Sequence, residues 1–424
     1  MSEPRVSVFD ARSTGLPSQS YGSVEPARVG SLGWLIVVGG ILAVTLIMLD
    51  PLRGWLRGWP GRWFHILLVS GLVSACLTPV SRVLAVRLGA VDTPDRRKLH
   101  DRPTPRLGGL AVFAGIAAAL AINGIPDPGL TLLLLAAAGL MAVGVVDDLR
   151  GVSPFLRLGA QVLVSLVVIQ GGVVLTFLPH QGWPGEVANQ LLTLLWLVGI
   201  TNAFNFFDGM DGLAPGLATV MAGFMGAIAF LTDQPHLGWA SVAMIGACLG
   251  FLPYNFRLRR SAEVFLGDGG STVLGFLLAG MAVHGEWAVQ EPLVNLTVPL
   301  LIFGVLIYDM FHTTVSRILR GDVRSVRQWI EYTGRDHLHH RFESLLRSKR
   351  KATILVTLLA ATLGLTAVLI RKVSLEGSFI LLLQCAAILV LVTVLEHAGN
   401  LRERRQKDRD AGDIECPHER RQQR

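Results

Sequence analysis

Apolar runs long enough to cross a bilayer recur along this chain, separated by short polar loops. A helix needs ~20 apolar residues to span the hydrocarbon core, and this chain offers that length repeatedly. A soluble core would be broken into shorter amphipathic pieces with a polar face. Apolar residues make up 51% of the 424, charged residues only 16%, and the mean hydropathy is +0.51. Inside a bilayer every backbone polar group must be paired within the protein, which leaves helices or closed barrels. Spans of helical length select the helix. The expected fold is therefore all-α, a polytopic bundle of eleven or twelve spans: 32–50, 63–88, 106–124, 129–146, 156–177, 187–203, 213–231, 238–254, 270–286, 293–315, 352–370 and 375–395.

The flanks differ from this middle. Residues 1–31 are polar and contain Pro, Gly and Ser, which predicts a disordered tail. The run from Leu32 to Leu49 exceeds a signal-peptide core and lacks a small-residue cleavage pattern after it, so it is read as a retained first helix. Residues 32–395 form the expected transmembrane catalytic domain, and 396–424 a charged cytoplasmic tail. The net charge of +7 fits cytoplasmic loops beside anionic lipid rather than nucleic acid. With the N-terminus inside, only Arg53, Arg57, Arg62, Arg371 and Lys372 of the 38 Lys and Arg fall in outside loops. Cys76, Cys248, Cys385 and Cys416 are scattered, without metal-ligand or disulfide spacing.

Five polar clusters fall at helix ends on the inferred cytoplasmic side, and ionisable groups there are functional candidates by default. The first is the Pro-rich segment from Asp92 to Gly109, where Lys98, His100, Arg102 and Arg106 supply cations suited to phosphate. Gly108 and Gly109 would let the next helix begin against another backbone or a ligand. The second is Asp147-Asp148 at the end of a nearly uncharged helix. Adjacent carboxylates repel, and a helix C-terminus disfavours anions, so a metal, a substrate cation or nearby Lys/Arg must offset them. The third runs from Asn202 through Asn205, Asp208 and Asp211. It offers oxygen donors suited to a hard cation, without EF-hand spacing. The fourth joins Asn255 to the Phe265-Leu-Gly-Asp268-Gly-Gly-Ser271 turn, whose backbone could face phosphate oxygens. The fifth, Asp336-His337-Leu-His339-His340-Arg341, fits hydrogen bonding to sugar or diphosphate better than zinc, because no Cys or distant His completes a set. A solvated basic loop would read like the first or fifth cluster in isolation.

Together the clusters resemble the polyprenyl-phosphate N-acetylhexosamine-1-phosphate transferases of glycosyltransferase family 4. The resemblance covers residues 92 to 341. It rests on Arg97–Gly109, Asp147-Asp148, Asn202–Leu213 and Phe265–Asp268, in the family's order. The His-x-His-His-Arg form at 337–341 and Pro-Thr-Pro-Arg at 103–106 look more like the GlcNAc-1-phosphate branch than the UDP-MurNAc-pentapeptide branch. The helix at 32–50 looks additional, and the loop from Arg317 to His337 lacks the family's common Ser-Pro-Phe stretch.

The resemblance implies transfer of GlcNAc 1-phosphate from UDP-GlcNAc to polyprenyl phosphate at the inner membrane, with Mg²⁺ as cofactor and Mn²⁺ able to substitute. It implies Asp268 as metal ligand with Asn205 as a second. Asp147 would position or deprotonate the lipid phosphate, supported by Asp148. Asp208 and Asp211 would hold the nucleotide, Asn202 would add a polar contact, and Asn255 and Phe265 would lie near uracil. His337, His339, His340 and Arg341 would meet the sugar and diphosphate. An aspartyl nucleophile stays open, as does a homodimer. The rival from another class is a solute transporter, which would need polar groups near the midplane; the bland one is an assembly scaffold.

Overall fold

The computed structural model describes residues 37–42, 45, 61–93, 103–125, 127–176, 182–257, 260–288, 292–332 and 334–415, without the side chains of 292, 331 and 396–415. Lys98, His100, Arg102 and the 1–31 tail lie outside these residues, as does most of the 32–50 span, of which 37–42 is helical.

The chain forms a helical bundle. Its helices are α1 (Arg62–Leu88), α2 (Gly108–Ile122), α3 (Pro128–Arg150), α4 (Pro154–Gln170), α5 (Trp183–Phe206), α6 (Leu213–Leu231) and α7 (Pro235–Asn255). They are followed by α8 (Gly267–His284), α9 (Pro292–Ile302), α10 (Gly304–Arg320), α11 (Val326–Glu331), α12 (Leu338–Leu346), α13 (Lys349–Leu369) and α14 (Leu375–Glu415). Between α1 and α2, β1 (Val91–Asp92) pairs antiparallel with β2 (Thr104–Pro105). This ladder is what the Pro-rich segment forms in place of helix.

Among the described residues, seven helices are long and apolar enough to span a membrane: α1, α3, α5, α6, α7, α13 with its 3₁₀ extension, and the apolar part of α14. The pair α9–α10 makes an eighth if counted as one span, bent by 75° where Pro299 lies inside α9 and Gly304 opens α10. By length and composition the described residues thus give seven or eight of the eleven or twelve expected spans, and most of the first expected span lies outside them. The segments 106–124 and 156–177 do contain helices, but α2 has 15 residues and α4 has 17, so α2 reaches about 22 Å at 1.5 Å per residue. Helix α8 opens on Gly-Asp-Gly-Gly-Ser and is buried along nearly its whole length. Wrapped by protein rather than lipid, it has no need of a uniformly apolar sequence.

The core runs through α3, α5, α6, α7 and α8. Large apolar side chains on the outer faces of α13 and α14, among them Leu358, Leu365, Phe379 and Leu383, are exposed, as lipid-facing positions must be. Helix α14 continues through Glu415, so the segment after 395 is helical at least that far. Helices α3 and α8 run antiparallel. Asp148 of α3 reaches the first turn of α8, while Asp127, which caps α3, reaches His284 at the other end of α8. One end of the bundle thus collects the polar clusters.

Candidate active site

At that end a cavity of about 450 Å³ is lined by Asp92, Arg106, Asp148, Asn205, Asp208 and Asp211, by Asn255, Phe265 and Asp268, and by Arg335, His340 and Lys349. Each of the five sequence clusters therefore contributes at least one residue to one shared space.

The floor is built by glycine. Gly108 N–H donates to Phe265 O (3.0 Å) and Gly109 N–H to Leu266 O (2.8 Å). A Cβ at Gly109 would collide with the Gly270 backbone, and one at Gly144 with that of Gly269. Only glycine lets α2, α3 and the start of α8 meet backbone to backbone. Gly267, at φ +80°, turns the chain into α8 where a side chain would be strained and would strike Arg106 O and Asp148.

The Asp147-Asp148 pair is stabilised from two sides. Asp147 is buried and accepts from Val152 N (2.6 Å) and from Arg157 of α4 (2.9 Å). Asp148 faces the cavity, accepts from Asp268 N (3.3 Å) and Gly269 N (3.5 Å), and lies 4.0 Å from Arg106. The positive end of α8 and two guanidiniums thus hold carboxylates that the end of α3 would disfavour. The Arg157 guanidinium also reaches Asp268 (3.4 Å), so it bridges Asp147 and Asp268.

Around Asp268, Asn205 donates to Ser271 Oγ (2.8 Å). Burial, followed by the charges of Asp268, Asp148 and Asp211, pushes the Asp208 carboxyl well above the usual range. The carboxylates of Asp148, Asp208 and Asp268, together with the Asn205 amide, form a set of hard oxygen donors whose mutual repulsion a divalent cation would relieve. Their chemistry fits Mg²⁺ or Mn²⁺.

The profile of glycosyl transferase family 4 matches residues 130–286. A Bacillus subtilis protein named a probable undecaprenyl-phosphate N-acetylglucosaminyl 1-phosphate transferase is 31% identical over 72% of this chain and 84% of its own. A Mycobacterium tuberculosis decaprenyl-phosphate N-acetylglucosaminephosphotransferase is 32% identical, over 76% and 84%. A Yersinia pestis undecaprenyl-phosphate alpha-N-acetylglucosaminyl 1-phosphate transferase is 31% identical, over 73% and 85%. The chain belongs to glycosyltransferase family 4, the polyprenyl-phosphate N-acetylhexosamine-1-phosphate transferases.

The remaining residues expected of a family 4 member divide between the cavity and its supports. His340 lines the cavity. Burial, followed by the charge of Arg335, holds its pKa down to about 4. His339 is wholly buried against Phe207, and among the described residues no hydrogen-bond partner reaches either ring nitrogen. His337 and Arg341 turn away to Asp309 of α10, at 2.7 and 3.0 Å. Asn255 lines the cavity but is fully engaged, accepting from Gly212 N (2.7 Å) and donating to Val264 O (3.0 Å). It braces the Asp208–Asp211 turn. Asp211 accepts from Ala262 N (3.0 Å). Asn202 sits a turn behind the cavity, donating to Gln161 (2.6 Å).

The sequence reading passed over Arg157, Asp309, Arg317, Arg335 and Lys349. The signal for Arg157 and Asp309 was present: each is an ionisable group inside an otherwise apolar span. For Arg335 and Lys349 nothing distinguished them from their basic neighbours.

Proposed function

We propose that this chain transfers GlcNAc 1-phosphate from UDP-GlcNAc to a polyprenyl phosphate, yielding polyprenyl-diphospho-GlcNAc and UMP, as the first membrane step of an envelope polysaccharide. The observation that carries this is one cavity that gathers Asp148, Asp208 and Asp268 together with Arg106, Arg335 and Lys349. Phosphoryl transfer between two anions demands charge neutralisation and alignment above all, and this cavity supplies both signs. The names of the relatives support the substrates, and the His-x-His-His-Arg form supports GlcNAc over a MurNAc-pentapeptide.

A lipid phosphate oxygen attacks the β-phosphorus of UDP-GlcNAc, forming the new P–O bond. The bond from that phosphorus to the bridging oxygen breaks, and its electron pair departs with UMP. Arg106, Arg335 and Lys349 bind the diphosphate, while the Asp208–Asp211 turn and Phe265 hold the nucleoside. The lipid approaches from the α4 side, where exposed Phe155 and Leu156 offer an apolar path. Arg157 meets its phosphate there, oriented by Asp147. Asp268, with Asn205, would hold Mg²⁺, which when bound neutralises the diphosphate as it divides. The positive-inside charge pattern supports a cavity on the cytoplasmic face of the inner membrane.

The test is the detergent-purified protein with undecaprenyl phosphate and a panel of UDP-sugars, following UMP and lipid-linked product. UMP release with UDP-GlcNAc, abolished by EDTA and restored by Mg²⁺ or Mn²⁺, is expected. Preference for another UDP-N-acetylhexosamine would move the substrate assignment. Solute movement without UMP release would favour the transporter.

A further inference from the structure

A second cluster of ligand atoms lies at the end of the bundle opposite the catalytic cavity. Asp127 caps α3 there, His236 is the second residue of α7, and His284 is the last of α8. His284 Nε2 lies 2.9 Å from Asp127 Oδ1, and His236 Nε2 lies 3.8 Å from Asp127 Oδ2. One ligand atom from each residue can be chosen so that all three lie within 4.8 Å of one another. We propose that Asp127, His236 and His284 form a Zn²⁺ site with three protein ligands and an open fourth position.

The donor set selects the metal. Two imidazoles and one carboxylate suit a borderline transition ion, whereas Mg²⁺ seeks all-oxygen coordination. Zinc bonds of about 2.0–2.2 Å to N and O set tetrahedral ligand–ligand separations of roughly 3.3 Å. The His284–Asp127 and His236–Asp127 separations, each to its own carboxylate oxygen, lie on either side of that value.

The surroundings hold these groups ready. Leu130 N donates to Asp127 Oδ1 (2.6 Å), fixing the carboxylate, as outer partners of metal ligands commonly do. A Cβ at residue 129 would collide with the His284 imidazole, so Gly129 is what lets that ring lie over the start of α3. Gln234 clamps Glu286 through two hydrogen bonds, Glu286 N to Gln234 Oε1 (2.8 Å) and Gln234 Nε2 to Glu286 O (2.5 Å). This clamp keeps the start of α7 in register with the end of α8, and hence His236 with His284. Bound zinc would staple α3, α7 and α8 together. The opposite ends of α3 and α8 carry Asp148 and Asp268.

The experiment uses the full chain in detergent, purified without a polyhistidine tag, stripped with chelator, reloaded with Zn²⁺ and desalted. Metal analysis should find about one retained Zn²⁺ per wild-type chain. That equivalent should vanish in His236→Ala and His284→Ala. It should persist in Asp268→Asn and in His339→Gln/His340→Gln, which excludes the cavity carboxylates and the α12 histidines as its source. X-ray absorption on the loaded wild type should show two imidazoles and only N/O ligands, a reading that needs no variant to fold. His236→Ala should keep UMP release while its thermal midpoint no longer rises with Zn²⁺. No retained zinc in the wild type, or zinc retained equally by His236→Ala and His284→Ala, overturns the site.

Discussion

Asp147 and Asp268 share the guanidinium of Arg157, yet their substitution should leave different signatures. Asp268 lines the cavity among the other carboxylates. If it is a metal ligand, its change to Asn should remove most turnover at every pH, with partial recovery at high Mg²⁺. Asp147 lies on the α4 side with its oxygens on Arg157 and Val152 N. If it takes the lipid-phosphate proton, Asp147→Asn should lose most rate at low pH. The deficit should shrink once the lipid phosphate is dianionic, above a second pKa near 6. A working general base is worth about 10²–10⁴-fold. A deficit that is flat from pH 6 to 9 would assign Asp147 to orienting Arg157 alone. Residues of this kind were legible in the sequence because a carboxylate at the end of an apolar helix needs a reason. The bridge that Arg157 makes to Asp268 was not, since that link crosses 111 positions and no local pattern records it.

At the scale of elements, α10 and α12 are joined by a charge network that the apolar reading of 293–315 concealed. Asp309 is fully buried and takes His337 Nδ1 (2.7 Å), Leu338 N (2.6 Å) and Arg341 (3.0 Å). Arg317, two turns on, holds Asp336 through two bonds of 2.7 Å. The polar residues Asp309, Thr313 and Arg317 recur every four positions, a one-sided stripe that could have been found as a helix face packed on protein. Asp309→Asn leaves half-buried Arg341 beside a neutral group and strips the wholly buried Asp309 of its charge, a change worth up to about 3–5 kcal/mol when a buried pair is broken. A marked fall in the thermal midpoint in detergent is expected, and an unchanged midpoint would show that α12 is anchored otherwise. The histidines of α12 also tie stability to pH. His340 ionises near 6.5 when unfolded but only near 4 in the fold, and His339 is pushed down in the same direction. Between those values the unfolded chain binds more protons, so stability should fall as pH drops from about 6.5 toward 4. A His339→Gln/His340→Gln double variant should show a flatter midpoint-against-pH curve than the wild type over pH 7 to 5. Equal slopes would remove these rings as the cause.

Over the whole molecule, the class of fold and the gathering of the clusters at one end could be read from hydropathy and charge. The lengths of the individual spans could not. Helix α2 is short and α8 opens on a polar turn where both pack on neighbours, and hydropathy records lipid contact and protein contact alike. What the bundle does fix is that Asp148, Asp208 and Asp268 lie at one end and Asp127, His236 and His284 at the other. Orientation then becomes a single binary question. The basic stretch from Arg317 to Lys351 stands at the catalytic end, where the positive-inside bias predicts cytoplasm. Cys76, Cys248 and Cys385 are buried, so a cysteine introduced at an exposed position can be read against a quiet background once Cys416 is replaced by Ser. Trp183, at the start of α5, is 76% exposed and lies at the end opposite the cavity, while Arg324 lies in the basic stretch and is exposed. An impermeant maleimide applied to intact spheroplasts should label Trp183→Cys at once and Arg324→Cys only after permeabilisation. The reverse pattern would put the cavity outside, away from any cytosolic pool of UDP-sugar, and the proposed reaction would lose its donor.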